Sequence, residues 1–253
     1  MKLYKQNGEP IGMGQPAIIV PIMETTQEKI LKEIDSVRKL RPDIIEWRAD
    51  QFENIDDLED VLRLVFEIKS LLDNTLLLFT FRTVQEGGNK IISKSYYIQV
   101  IKTAILSKKV DLVDVELLIG EEEVADLVHL ANENGVEVVI SNHEFTNTPR
   151  KEEILTRIRK MQELGASISK IAVMPKNMQD VITLLDTSLA IKTEFPNRLF
   201  IAIAMGELGV ISRIACGYFG SCATFAAGLN ASAPGQIPVD EIKQILQIMY
   251  KND

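Results

Sequence analysis

Short, uniformly apolar runs alternate along the chain with longer stretches in which apolar residues recur at helical spacing. Such runs are typical of strands buried on both faces, and the stretches between them are typical of helices that cover a parallel sheet. The pattern predicts eight strands, at residues 17–20, 43–48, 75–82, 112–116, 136–142, 169–174, 199–204 and 222–225. Eight strand-helix units indicate closure into a (β/α)8 TIM barrel, and no linker composition interrupts them, so we expect a single domain over residues 1–253.

The predicted helices begin beside residues that favour helix starts. Thr26 stands before a helix predicted from Gln27. Asn54 stands before a helix predicted from Ile55, and Pro238 precedes the last helix. Small polar side chains satisfy the free amides of a first turn, and proline has a backbone angle suited to it.

Composition and charge describe an ordinary packed domain, with 46% hydrophobic and 25% charged residues. The 28 basic and 36 acidic residues give a net charge of −8, which opposes attraction to phosphate backbones. We therefore expect no nucleic-acid partner. An anionic substrate has to be held by local arginines against this overall field.

Cysteine content and the N-terminal segment bear on location. Cys216 and Cys222 are too few for a disulfide framework, which fits a reducing cytoplasm. Residues 1–16 lack the apolar core of a signal peptide, and no run of about 18 apolar residues follows. We expect a cytoplasmic protein that does not enter a membrane.

Charged residues collect at the predicted carboxyl ends of the strands, where parallel barrels place their function. They are Glu46, Arg48, Arg82, Glu86, His143, Glu144 and Arg213. The three arginines are candidate anion anchors, because a guanidinium group binds a carboxylate through two hydrogen bonds and stays charged in a dry pocket. Salt bridges at the rim, such as one from Glu46 to an arginine, would explain one or two of them equally well.

Lys170 is unusual because the run around it, residues 169–174, otherwise predicts a buried strand. Alternation along a strand puts Lys170 on the same side as Ala172 and Met174. If that side is the barrel interior, the lysine is buried, and burial favours the neutral amine that attacks a ketone. The alternative is an exposed lysine at the start of an edge strand.

His143 and Glu86 are candidates for proton transfer. A histidine that titrates near neutral pH can take a proton and return it to a leaving group, as elimination beside a carbonyl requires. Glu86 precedes two glycines that permit a tight loop, and a carboxylate bonded to a histidine fixes its tautomer. The alternatives are a histidine that only packs and a glutamate that is only solvated.

Residues 231–238 join the last strand to the last helix and contain the glycine, proline and small polar residues of a mobile loop. Such loops close over barrel sites, and Ser232 and Gln236 would then bind hydroxyl groups. An ordinary strand-to-helix connection fits the same residues. Motifs for metals and nucleotides are absent from the sequence, which has no HExxH, Cys/His cluster, GxGxxG or GxxxxGK[ST].

Seven segments, in order, resemble the type I 3-dehydroquinate dehydratase family. They are EWRAD at 46–50, FTFR at 79–82 with EGG at 86–88, SNH at 141–143, KIAVMP at 170–175, GVISR at 209–213, FGS at 219–221 and ASAPGQ at 231–236. Each segment alone is a weak signal, but together they span most of the chain.

This resemblance implies a barrel enzyme, usually a homodimer, that needs no cofactor and dehydrates 3-dehydroquinate to 3-dehydroshikimate in the shikimate pathway of aromatic amino acid biosynthesis. It implies that Lys170 forms an imine (Schiff base) with the substrate, that His143 is the acid and base of a syn elimination, and that Glu86 orients the histidine. The substrate-binding positions it implies are Glu46, Arg48, Arg82, Arg213, Ser232 and Gln236.

Two other functions remain open at this point. A class I aldolase also uses a barrel lysine and a nearby acid and base, so Lys170 and His143 suit retro-aldol chemistry as well. A noncatalytic binding barrel would keep the scaffold without the chemistry, although this chain has both residues. Formation of a conjugated enone from 3-dehydroquinate separates a dehydratase from both.

Overall fold

The computed structural model describes residues 3–251, which form eight β-strands and eight α-helices in alternation. The strands are β1 (Ala17–Ile22), β2 (Ile44–Arg48), β3 (Leu76–Thr80), β4 (Leu112–Glu116), β5 (Glu137–Glu144), β6 (Ile168–Val173), β7 (Leu199–Ala204) and β8 (Ala223–Phe225). The helices are α1 (Gln27–Arg38), α2 (Leu58–Leu71), α3 (Lys94–Leu106), α4 (Glu121–Glu133), α5 (Lys151–Glu163), α6 (Met178–Glu194), α7 (Val210–Ile214) and α8 (Val239–Met249). None of the helices within residues 3–251 has the length and apolar composition that crossing a bilayer requires.

The strands pair in parallel in the order β7-β6-β5-β4-β3-β2-β1-β8, so the first and last strands are neighbours. Within residues 3–251 no ladder of paired residues joins β7 to β8, and a few hydrogen bonds close the barrel there instead. The amide of Cys222 donates to the carbonyl of Phe200 at 2.8 Å. The Ser221 hydroxyl accepts from the amide of Ala202 at 3.3 Å and donates to the carbonyl of Ala223 at 3.0 Å. The prediction of a (β/α)8 barrel is confirmed, with a seam that Ser221 bridges.

The hydrophobic core has two layers. Side chains on the outer face of the strands, such as Trp47 and Phe79, pack against the helices. Side chains on the inner face, such as Ile168 and Ala172, fill the barrel. Lys170 lies between these last two on β6, so alternation directs its side chain into the barrel.

The N-terminal segment covers the amino end of the barrel, which the sequence pattern does not reveal. Tyr4 and Pro10 form an antiparallel bridge, and Ile11 packs with the inner layer of the core. The amide of Gln6 donates to the side chain of Asp43, just before β2, at 2.9 Å. Residues 3–16 therefore act as a plug opposite the carboxyl ends of the strands.

Most predicted element boundaries agree with the structure to within two residues, and one helix start is wrong. α1 begins at Gln27, as predicted. The helix predicted from Ile55 begins instead at Leu58, because the Asp57 carboxylate accepts a hydrogen bond from the amide of Glu59 at 2.8 Å and caps the helix there. The helix α2 therefore starts after Asp57, because this is the capping residue nearest to its apolar positions.

The plug depends on a buried lysine, Lys5, whose ammonium group donates to three oxygens. These belong to the carboxylate of Glu9 at 2.8 Å and to the carbonyls of Met13 at 2.8 Å and Gln15 at 2.9 Å. Lys5→Met leaves these oxygens without their donor, so we expect the free energy of unfolding to fall by about 1–3 kcal/mol. Urea denaturation followed by circular dichroism measures the change.

The matched control is Lys39→Met, since Lys39 is an exposed lysine whose ion pair with Asp35 lies at the surface. Its effect on the free energy of unfolding should stay within about 0.5 kcal/mol. Equal effects of the two substitutions would show that Lys5 does not stabilise the plug.

Candidate active site

One cavity opens at the carboxyl ends of the strands, with an empty volume of about 630 Å³. All nine residues singled out from the sequence line it: Glu46, Arg48, Arg82, Glu86, His143, Lys170, Arg213, Ser232 and Gln236. Apolar side chains that the sequence did not single out complete its wall, and they are Phe145, Ala172, Ile203, Met205 and Phe225.

Lys170 lies at the floor of this cavity and is 4% exposed. Its Nζ atom is 3.4 Å from Oδ2 of Asp114, 3.8 Å from Oε1 of Glu46 and 4.4 Å from the centre of the Phe225 ring. These four side chains come from β2, β4, β6 and β8, as expected of a barrel layer built by alternate strands. Because β6 pairs with both β5 and β7, the alternative of an exposed lysine on an edge strand is excluded.

Arg82 is the centre of a buried ion-pair network. Its guanidinium group donates to Asp114 at 2.8 Å, to Glu116 at 2.9 Å and to Ser141 at 3.0 Å, and it lies 3.5 Å from Glu86. Burial alone would lower the pKa of Arg82, but the surrounding carboxylates raise the pKa well above its ordinary value. Arg82 therefore stays charged and joins β4, β5 and the loop that holds Glu86.

His143 lies within β5, one residue beyond the predicted end of that strand, and contacts Glu86 twice. The Nδ1 atom of the imidazole is 2.8 Å from Oε2 of Glu86, and the backbone amide of His143 donates to the same oxygen at 3.1 Å. The side chain of Asn142 donates to Oε1 of Glu86 at 3.1 Å. Phe145 stacks on the imidazole with 6.4 Å between ring centres. Glu86 thus holds the imidazole at its edge, and Phe145 packs against its face.

The two members of this pair titrate away from their ordinary ranges. Burial raises the pKa of Glu86 to about 8, an effect that the positive charge of Arg82 opposes and the nearby Glu116 reinforces. Burial also lowers the pKa of His143 well below its ordinary value, and the positive charges of Arg82 and Lys170 lower it further. The imidazole is consequently neutral at physiological pH and able to accept a proton.

Arg48 is held at the rim by Asp50. The Nε and Nη2 atoms of Arg48 donate to the two carboxylate oxygens of Asp50, each at 2.8 Å. The amide of Arg82 also donates to Asp50, at 3.2 Å. The partner of this rim arginine is thus Asp50 and not Glu46, which instead accepts from the hydroxyl of Thr80 at 2.9 Å.

Arg213 is a buried cation that lies among backbone carbonyls. Within residues 3–251 its guanidinium group forms no ion pair, and it donates only to the carbonyls of Phe225 at 3.4 Å and Pro234 at 3.1 Å. Its Nε atom has no hydrogen-bond partner in this part of the chain. Burial lowers the pKa of Arg213 to about 10, so the group is still charged at neutral pH. An uncompensated buried cation in a cavity favours an anionic ligand.

The loop after β8 contacts both the cavity and Arg213. The amide of Ser232 donates to Oε1 of Gln236 at 2.7 Å, and the Gln236 amide group donates to the Ser232 hydroxyl at 2.9 Å. The carbonyl of Pro234 accepts from the amide of Gly206 at 3.1 Å. Gly235 has φ +76°, and a Cβ there would lie 2.2 Å from the carbonyl oxygen of Gly206. Glycine is therefore required where the loop approaches the barrel.

Sequence reasoning missed the buried acids that surround the candidate residues. Asp114 and Glu116 alternate in β4, within an otherwise apolar run, and both point into the network of Arg82. The signal that singled out Lys170, a charge inside a buried strand, applies to them equally. Across residues 3–251, no group of three or more histidine, cysteine, aspartate or glutamate side chains is arranged to hold a metal ion.

Comparison with known proteins agrees with this geometry. The family model described as Type I 3-dehydroquinase matches residues 18–253. The 3-dehydroquinate dehydratase of Bacillus velezensis is 51% identical over 96% of both chains, and that of Bacillus subtilis is 47% identical over 100% of this chain and 99% of its own.

Solved structures give the same result. The crystal structure of a type I 3-dehydroquinate dehydratase from Clostridium difficile, with covalently modified comenic acid, superposes with a TM-score of 0.95 at 42% identity, covering 100% of this chain and 99% of that one. A 3-hexulose-6-phosphate synthase, 16% identical with a TM-score of 0.58, shares the fold alone. The family model and these relatives show that the chain belongs to the type I 3-dehydroquinase family.

Proposed function

We propose that this chain dehydrates 3-dehydroquinate to 3-dehydroshikimate, a step of the shikimate pathway, through an imine on Lys170. The observation that carries the proposal is a buried amine at the floor of a cavity whose wall also holds an arginine that forms no ion pair within residues 3–251. The ammonium group of Lys170 first loses a proton, the neutral Nζ atom attacks the substrate ketone, and that proton and a second one from Nζ leave with the carbonyl oxygen as water. The protonated imine then draws electrons from the neighbouring carbon atoms.

His143 is the proposed acid and base. In its neutral form it takes the C2 proton of the imine, and the resulting enamine expels the C1 hydroxyl group, which the same histidine protonates. Glu86 accepts from Nδ1 at 2.8 Å, which leaves the lone pair of Nε2 for the substrate and stabilises the imidazolium after proton transfer. Water then releases the product from Lys170.

Arg213 is the proposed anchor for the substrate carboxylate. The contacts that support this role are its burial and the absence of an acidic partner within residues 3–251. Glu46, Arg82 and Gln236 are proposed to bind ring hydroxyls, together with Arg48 and Ser232 at the rim. Fixing the ring in this way decides which hydrogen faces His143.

We also propose that the chain acts in the cytoplasm as a homodimer of single-domain barrels. Both cysteines are free and buried, which suits a reducing compartment. Exposed apolar side chains support a contact with a second copy, because Met178, Ile182 and Leu189 lie on α6 and Ile211 lies on α7, the next helix along the chain.

The test of the catalytic assignment uses Lys170→Ala and His143→Ala. We expect Lys170→Ala to abolish both borohydride trapping of 3-dehydroquinate and the ultraviolet gain of the conjugated product. His143→Ala should still be trapped, with turnover lowered on the order of 10²-fold or more, because only proton transfer is removed. Mass spectrometry measures trapping, and absorbance near pH 7 measures turnover.

Lys176→Ala is the matched control, since Lys176 is exposed beyond the end of β6 and should keep both signals. A label that persists in Lys170→Ala, or unchanged turnover in His143→Ala, would refute the corresponding role. No absorbance gain from the unsubstituted protein would refute the dehydratase assignment itself.

A second prediction concerns pH. The proposed base needs Glu86 ionised, so that Nδ1 donates to it and Nε2 keeps its lone pair. Since the pKa of Glu86 is raised to about 8, the ionised fraction falls as the pH drops below 8, and kcat/KM should fall with it. In Glu86→Gln an amide oxygen accepts from Nδ1 at every pH, so this acid limb should disappear while kcat stays within about tenfold.

The pH profile of kcat/KM from pH 5 to pH 9 measures this effect. Glu144→Gln is the control, because Glu144 lies at the end of β5 outside the cavity lining and should keep the acid limb. An acid limb at the same pH in Glu86→Gln would assign that limb to another group.

A third prediction tests the assembly. Light scattering on a size-exclusion column should give twice the chain mass. Ile182→Glu places a charge in the apolar face of α6 and should shift the mass toward one chain. Leu106→Glu changes an exposed leucine on α3, which packs against α2 and α4, and should leave the dimer intact. A dimer that persists in Ile182→Glu would exclude the α6 face as the interface.

A further inference from the structure

Asp114 is a fully buried carboxylate at the centre of β4 that does not line the cavity but contacts the proposed nucleophile. Its Oδ2 atom is 2.8 Å from Arg82 and 3.4 Å from Nζ of Lys170. Its Oδ1 atom accepts from the hydroxyl of Ser141 at 2.6 Å. Both carboxylate oxygens of Asp114 are therefore held in place, and Oδ2 faces the amine of Lys170.

We propose that Asp114 is a positioning residue that holds Nζ of Lys170 at the cavity floor and supplies the counter-charge of the protonated imine. This inference rests on the imine chemistry proposed above. A lysine side chain has four rotatable bonds, so a fixed partner at Nζ is needed to keep the amine aimed at a bound ketone.

The charges around Nζ make Asp114 the main counter-ion. Glu46 is farther away, at 3.8 Å, and the Phe225 ring contacts the amine only through its face, at 4.4 Å. Arg82 contacts the same Oδ2 atom of Asp114 that faces Nζ, and His143 is within electrostatic reach of Lys170. Without the aspartate charge, Lys170 would keep only the more distant Glu46 as an acidic partner within residues 3–251.

Asp114 stays ionised in this environment. Burial alone would raise the pKa of Asp114, but the positive charges of Arg82 and Lys170 outweigh burial, and the hydrogen bond from Ser141 adds to them, so the pKa lies below its ordinary value. A carboxylate that is charged at every pH of interest is a constant counter-charge for both the ammonium and the imine.

Glu116 offers a matched control on the same strand. It is equally buried, accepts from Arg82 at 2.9 Å and accepts from the amide of Thr83 at 2.9 Å. No hydrogen bond or ion pair joins it to Lys170 within residues 3–251. Glu116→Gln and Asp114→Asn each remove one buried negative charge from the network, but only Asp114→Asn removes it from beside Nζ.

The experiment compares these two variants by competitive acetylation of Lys170 without substrate. Trace acetic anhydride is applied at a series of pH values, and the Lys170 peptide is quantified by mass spectrometry. Loss of an opposite charge within about 4 Å disfavours the protonated amine, so the midpoint for Asp114→Asn should move down by about one pH unit or more. The midpoint for Glu116→Gln should move by less than half of that.

Turnover of 3-dehydroquinate gives the second readout. Asp114→Asn should lower kcat on the order of tenfold while KM changes less than about threefold, because the residue acts on the imine and does not line the cavity. An unmoved acetylation midpoint in Asp114→Asn, or equal midpoints in Asp114→Asn and Glu116→Gln, would overturn the inference. If acetylation responds as expected while the unsubstituted protein lacks dehydratase activity, the hold on Lys170 stands and the proposed function fails.

Asp114→Glu keeps the test decisive if Asp114→Asn does not fold. The longer side chain keeps the charge, so the acetylation midpoint should stay within about 0.3 pH units of the unsubstituted protein. The displaced carboxylate should still lower kcat by about fivefold or more. Full kcat in Asp114→Glu would show that the position of this carboxylate does not matter.

Discussion

Charge in a dry interior constrains the upper half of this barrel. An isolated buried ion costs several kcal/mol, so the ammonium group of Lys170 requires opposite charges that the fold itself delivers. Alternation along β2 and β4 places Glu46 and Asp114 on the inner face, where they meet Lys170 from β6. A slip of one residue in any of these strands would turn its charge outward into the helix layer, so strand register and site are fixed together.

The site divides into two regions of different charge balance. Around Arg82, buried carboxylates outnumber cations and hold Arg82 in its charged form, while burial raises the pKa of Glu86. Around Arg213 the balance is reversed, because carbonyl oxygens are its hydrogen-bond acceptors within the described chain. The overall charge of −8 opposes the approach of an anion, so the proposed carboxylate subsite must work through this short-range imbalance.

The sequence predicts the strands and the side of β6 that Lys170 shares with Ala172 and Met174, because both follow from local patterns. The residues next to Lys170 are enough to predict which side of the strand it faces, and the first turn of α1 is enough to predict where that helix starts. The partners of Lys170 are not predictable in this way, since Asp114 lies 56 positions away and meets it only across a closed barrel. The N-terminal plug is missed for a similar reason, because two of the three oxygens that Lys5 contacts are backbone carbonyls, which the turn positions whatever the residue type.

The proposed reaction moves one positive charge between two places that the structure has already provided with carboxylates. In the protonated imine the charge lies on Nζ, 3.4 Å from Asp114 in the unliganded geometry. When His143 takes the C2 proton, the imine becomes a neutral enamine and the charge appears on the imidazole, 2.8 Å from Glu86. Loss of the hydroxyl group as water returns the charge to Nζ. No step separates new charge in this buried site, so the fold needs one fixed carboxylate at each end of the path, Asp114 beside the lysine and Glu86 beside the histidine.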